Sequence, residues 1–203
     1  MAMTDHPHHD HHHTHEDRAA PADYRTWVKS QRLSKDQYFK RSARSPIPPE
    51  ERSSFGGLHY YAVNPALRFE YLELGPIPDG LEEEIHVQTS DGAVRHGRRA
   101  GTFDFTIDGI GHQLVALQLA GSPEDELFVP FRDATNADET YEAGRYLDLA
   151  SQDDGTYDLD FNLAYAPFCA YSPAYSCPLP PLENRLTARI EAGERNPLAG
   201  QAT

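Results

Sequence analysis

Two carboxylates sit beside primary amides in the second half of this chain, in Asp160-Phe-Asn162 and Glu183-Asn184. A carboxyl group next to an amide and a phenol can take up or give a proton when burial brings its pKa toward neutrality. Asp160 and Glu183 are therefore the candidate acid–base residues. Asn162 and Asn184 would orient what they act on, and Tyr146, Tyr165 and Tyr171 supply phenols that pack while keeping a polar tip. Arg132 beside Asp133, and Arg145 after Gly144, offer guanidinium forks for a carboxylate or phosphate. The alternative for these three is an internal Arg–Asp pair that locks a loop.

Cys169 and Cys177 are the only cysteines, eight positions apart among Pro167, Pro173 and Pro178. They lack the C-x-x-C spacing of a redox motif, and two thiols are too few for a structural zinc site without other ligands. The default reading is a buried structural pair, with a thiol redox pair or ligand contacts as the alternatives. His59, His86, His96 and His112 are scattered, with no ligand-like spacing. The chain has no G-x-S-x-G, H-E-x-x-H, P-loop or G-x-G-x-x-G motif. Serine-nucleophile hydrolysis, nucleotide-triphosphate chemistry and Rossmann-type dinucleotide binding lose their usual supports.

The elements that must position these groups are mostly strands. Tyr60 to Val63, Leu67 to Leu74, Glu84 to Thr89, Val94 to Arg98 and Thr102 to Ile107 are β-rich or alternate. His112 to Leu119, Glu126 to Phe131, Arg145 to Leu149, Tyr157 to Asn162 and Leu186 to Ile190 continue the pattern. Asp91-Gly92, Asp108-Gly109 and Asp154-Gly155 fall between such runs, where glycine supplies the positive φ of a hairpin turn. Pro130 interrupts its run, so Phe131-Arg-Asp133 is expected to leave the sheet. Asp160 and Asn162 are expected on one face of a strand, with Phe161 on the other. One helix is expected from about Pro21 or Asp23 to Arg41, capped by Asp23, with Tyr24, Trp27, Val28, Tyr38 and Phe39 toward one face. Ser45-Pro-Ile-Pro-Pro49 stops it. The fold expected is mainly β: an antiparallel barrel or split barrel of eight to ten strands, with one N-terminal helix. Residues 1–20 are expected to form a disordered histidine-rich tail, 21–195 a single domain, and 196–203 a flexible C-terminus.

That tail holds His6, His8, His9, His11, His12, His13 and His15 among carboxylates, a mixture that suits Zn²⁺, Ni²⁺ or Cu²⁺. With 203 residues and 38% apolar composition the chain can bury a core, and its formal charge is −14. So acidic a surface repels phosphates and anionic lipid, which argues against nucleic-acid or membrane partners. The start carries no basic and apolar signal-peptide pattern, so the sequence reads as cytoplasmic. Only Lys29, Lys35 and Lys40 accompany the arginines, a bias that fits a high-GC or salt-adapted source.

The ordered motifs Phe128-Val-Pro-Phe-Arg-Asp133, Thr140-Tyr141, Gly144-Arg-Tyr-Leu147, Asp160-Phe-Asn162, Ala164-Tyr165, Cys169-Ala-Tyr171 and Cys177-Pro-Leu-Pro-Pro-x-Glu-Asn-Arg-Leu186 resemble a bacterial and archaeal domain-of-unknown-function family. The resemblance extends to Trp27, Lys35-Asp36, Ser45-Pro46 and Ile190-x-Ala-Gly-Glu194, and so covers residues 23–194. This chain departs from the family pattern at Ala166, usually asparagine, and at Asn136, often glycine. The resemblance implies where the interest lies and assigns no reaction.

Three functions remain in competition. The first is a small-molecule site, binding or enzymatic, lined by the Phe128–Glu194 run. The second is metal handling by the tail, and the third is a flavin- or haem-type cofactor held in a barrel.

Overall fold

In a computed structural model, residues 23–123 and 125–197 are described. The histidine-rich tail, with its seven candidate metal ligands, and the last six residues lie outside them.

Helix α1 spans Tyr24–Arg41, and the Asp23 side chain accepts from the Thr26 amide at 3.3 Å. A side-chain oxygen there satisfies one of the amides that a helix start leaves free. Lys40 and Arg41 in the last turn complement the helix dipole. Ser45 is buried behind that end: its hydroxyl donates to the Phe39 carbonyl at 2.5 Å and accepts from the Ile47 amide at 3.1 Å. Only Val28 and Phe39 of α1 are fully buried. Trp27 is partly buried, stacked on Tyr24 at 6.2 Å, and Leu33 faces out. The helix is thus held largely by polar contacts.

Seven strands follow among the described residues: β1 (Arg68–Leu72), β2 (Glu84–Gln88), β3 (Val94–Ile107), β4 (Ile110–Leu119), β5 (Glu126–Phe131), β6 (Arg145–Ala150) and β7 (Tyr157–Asp160). They form a five-stranded antiparallel sheet, β2-β3-β4-β5-β6, and a two-stranded one, β1-β7. The fold is mainly β, as expected, but the expected barrel does not close. Two expected strands are missing as strands. Tyr60 to Val63 contributes only the bridge Tyr60↔Glu194, and near Leu186 to Ile190 there is only the bridge Arg132↔Arg185. Both segments make isolated backbone bonds and also fasten to side chains, described below. Two other expected runs are one strand, because Gly101 lets β3 continue through a register shift between Arg99 and Gly101. A Cβ on Gly101 would stand 2.3 Å from the Gly75 carbonyl oxygen, so no larger residue fits at that crossing.

Asp91-Gly92 joins β2 to β3 and Asp108-Gly109 joins β3 to β4, as expected of hairpins. Asp108 (φ 51°) and Gly109 (φ 79°) are both left-handed, the geometry that matches strand twist in a two-residue turn. Asp154-Gly155 is a turn too, but it passes from β6 in one sheet to β7 in the other.

The main core lies between the two sheets and under the C-terminal segment. Phe103, Phe105, Leu114, Val129, Phe131, Leu147, Leu159, Phe161 and Ile190 meet there. A smaller apolar cluster of Ile85, Val87, Val115, Leu117 and Leu119 forms separately. No described helix is long and apolar enough to cross a membrane.

Candidate functional site

Arg145 and Asp133 are both completely buried and pair at 2.8 Å. β6 brings Arg145 inward just after Gly144, and Asp133 follows the end of β5. The guanidinium also donates to the carbonyls of Ile190 (2.7 Å), Glu194 (3.2 Å) and Ala192. Asp133 Oδ1 accepts from the amide and hydroxyl of Thr135 and from the Ile190 amide. These bonds tie residues 190–194 to the sheet. Arg132, beside them, contributes backbone bonds: its amide donates to Asn184 and its carbonyl accepts from Leu186.

Asp160 closes β7 and caps the turn Phe161–Leu163, so the expected strand stops before Asn162. Asp160, Phe161 and Asn162 are all buried, and the expected alternation of faces is lost there. Asp160 accepts from the Asn162 amide at 2.9 Å and from the Tyr24 hydroxyl of α1 at 2.7 Å. The Asn162 side chain accepts from the Asn64 amide (2.7 Å) and donates to the Asn64 carbonyl (2.8 Å), as a paired strand would.

Asn184 plays the same part between β4 and β5. Its Oδ1 accepts from the Val115 amide, and its Nδ2 donates to the carbonyls of Val115 and Pro130, each at 2.8 Å. Glu183 alongside pairs with Arg99 at 2.7 Å.

A cluster that sequence reasoning missed lies between α1 and the C-terminal segment. Glu194 is 1% exposed. Its Oε2 accepts from the Ala166 amide (2.8 Å) and the Tyr171 hydroxyl (2.9 Å), while Oε1 pairs with Lys35 Nζ at 2.6 Å. The ammonium lies 4.4 Å over the Tyr165 ring. Arg32 lies 4.5 Å over the Tyr60 ring and donates to the carbonyls of Tyr61 and Asn162. Burial pushes the Tyr171 hydroxyl well up, helped by the Glu194 carboxylate. Glu194 closes the resembling motif Ile190-x-Ala-Gly-Glu194, the one signal that pointed to it. Ala166, whose amide Glu194 holds, is itself buried.

The two thiols converge in the loop after β7. Both are free, Cys169 partly exposed and Cys177 buried. The Cys169 amide points at Cys177 Sγ at 3.3 Å, and the Tyr141 hydroxyl lies 3.8 Å from Cys169 Sγ. A hydrogen bond from Cys177 draws the Cys169 thiol down to about 6 against the opposing effect of burial, with Ser90 and Tyr141 helping. The same contact, with burial, raises Cys177 well above the usual thiol range. The loop is pinned from three sides. Ser90 donates its amide to the Cys177 carbonyl and accepts from the Cys177 amide. Ser176 donates to Asp91 at 2.7 Å. Buried Tyr146 donates to the Pro178 carbonyl, and its ring packs on Phe128 at 4.7 Å. Among the described residues no three histidine, cysteine or carboxylate side chains gather as a metal site.

Taken together, the structure defines a two-sheet antiparallel protein with one docked helix and a loop that brings two free thiols together. The chain belongs to the family described as protein of unknown function (DUF1684), which matches residues 53–195. α1 precedes the matched segment. A solution NMR structure of an uncharacterized protein from Haloarcula marismortui is similar, at 41% identity and a TM-score of 0.64. The match covers 87% of this chain and 96% of that one. No curated protein matches this chain.

Proposed function

We propose that this chain is a thiol–disulfide redox protein, with Cys169 as the attacking thiol and Cys177 as the resolving one. The observation that carries this reading is the contact of two free thiols of unequal exposure, with the Cys169 amide 3.3 Å from Cys177 Sγ. A thiolate attacks and a thiol does not, so the exposed, lowered thiol is the one that meets a partner. Cys177 is sheltered until a mixed disulfide has formed beside it.

The substrate class is a disulfide. Cys169 thiolate attacks one sulfur of the partner disulfide and bonds to it as a mixed disulfide, while the other partner sulfur leaves as a thiolate. Cys177 then attacks Cys169 Sγ, releasing the partner's second sulfur, and the Cys177 proton passes to a leaving thiolate. The partner gains two electrons, one proton from Cys177 and one from solvent, and this chain gains one S–S bond. Tyr141 donates to the attacking sulfur. On this reading Asp160, Glu183, Arg145 and Asn184 hold the frame and take no part in the chemistry.

Equilibrating the full chain in reduced and oxidised glutathione tests it, with peptide mass as the readout. A Cys169–Cys177 disulfide should form and reverse with the glutathione ratio, and Cys177→Ser should accumulate glutathione on Cys169. If no intramolecular disulfide forms at any ratio, the proposal fails.

A further inference from the structure

His86 and His96 are ten positions apart in sequence and directly opposite in space. β2 and β3 pair them in register, and their ring centroids are 4.6 Å apart at an interplanar angle of 79°. The hairpin hydrogen bond from Thr89 to Ala93 sets the phase of the ladder. Counting back from it makes His86 and His96 a non-hydrogen-bonded pair, the kind whose side chains stand closest. The His96 carbonyl confirms the phase, since it accepts from Ala120 on the far side and not from β2. Both rings are exposed, in an open groove that Glu84, Arg98 and Gln118 also line.

We propose that His86 and His96 form a surface chelate for one late first-row divalent cation, such as Ni²⁺, Cu²⁺ or Zn²⁺. Two imidazoles each holding a cation at about 2.0 Å in a tetrahedral or square arrangement have ring centres about 4.5–5 Å apart, and the observed 4.6 Å separation falls in that range. Strand pairing fixes both ring-bearing backbones beforehand, which removes much of the ordering cost of chelation. Imidazole nitrogen selects these cations over Mg²⁺ and Ca²⁺, which prefer oxygen. The positive neighbour Arg98 donates to the Gln118 side chain, away from β2. No third histidine, cysteine or carboxylate joins the pair among the described residues, so water completes the coordination and the site stays open to exchange.

The test is the melting temperature of the full chain with and without excess Ni²⁺, for wild type, His86→Ala and His96→Ala. The seven tail histidines and both thiols are common to all three, so differences between them read the strand pair alone. Wild type should gain about 3–6 °C from Ni²⁺, and each variant should lose that gain. Equal shifts in all three, or none in wild type, would overturn the proposal. Should a variant fold poorly, Ni²⁺-induced broadening of wild-type amide signals decides the matter. Broadening concentrated at residues 84–88 and 94–98 supports the chelate, and its absence there refutes it.

Discussion

Asn184 meets both the amide and the carbonyl of Val115 at 2.8 Å, doing with a side chain what a neighbouring strand would do. Its place is set by Pro130. The single β4–β5 pair, Leu117↔Phe128, extended by two residues puts Pro130 opposite Val115. Proline has no N–H to give, so the ladder fails at that step. The Asn184 amide enters the gap and also donates to the Pro130 carbonyl.

Replacing Asn184 with leucine should therefore be costly. It strands the Val115 amide and carbonyl and the Pro130 carbonyl in a dry interior, at about 1–3 kcal/mol for each group left unpaired. Partial relaxation makes a net loss of about 3 kcal/mol the expected value. Urea denaturation should show a lower midpoint at an unchanged slope.

Arg145 should tolerate no substitute. Leucine leaves the Asp133 carboxylate buried and uncompensated, at about 3–5 kcal/mol. Lysine keeps the charge but lacks the fork that reaches Asp133 and three carbonyls together, so it too should destabilise, by about 2 kcal/mol. A double-mutant cycle with Asp133→Asn should show strong non-additivity, because the two side chains touch.

Cys169 should alkylate with a rate that rises through pH about 6 and then levels, where an ordinary thiol rises through 9.0. Iodoacetamide kinetics on the full chain would show it, and Cys177→Ala should move the inflection back up. The linked stability has a definite sign. A thiol whose folded pKa is lowered favours the fold at high pH; that contribution is complete above the unfolded value near 9 and is lost as pH falls through about 6.

What the sequence revealed and what it hid follow from the range of the interactions. α1 and its Asp23 cap and both true hairpins are local matters, set by capping and turn chemistry. The exit expected at Pro130 is not seen, because Pro130 and Phe131 still pair with Tyr146 and Arg145 of β6 and only the β4 side opens. Tyr60 to Val63 and Leu186 to Ile190 misled because apolar alternation is read as a continuous backbone ladder, whereas here a few isolated backbone bonds are supplemented by the side chains of Arg32, Asp133 and Arg145. The polar residues of the Phe128–Glu194 run were visible as a group. That Asp133, Arg145, Asn162 and Asn184 all turn toward backbone groups was not, since it depends on contacts between distant segments. His86 and His96 looked scattered because spacing along the chain says nothing of register across a hairpin. Lys35 and Glu194 were further out of reach, at opposite ends of the described chain.

That last pairing bears on how the protein is made. A chain emerging from the ribosome presents α1 first and residue 194 near the end of the described segment. During most of synthesis α1 has only its nearby anchors, such as the Asp36 contact to the Leu58 amide and the Arg25 contact to the Val63 carbonyl. Its other anchors, Asp160 and Glu194, arrive late. Vectorial synthesis therefore leaves the helix only partly anchored until the C-terminal segment has been delivered, because the Lys35–Glu194 contact joins segments near the two ends of the described chain.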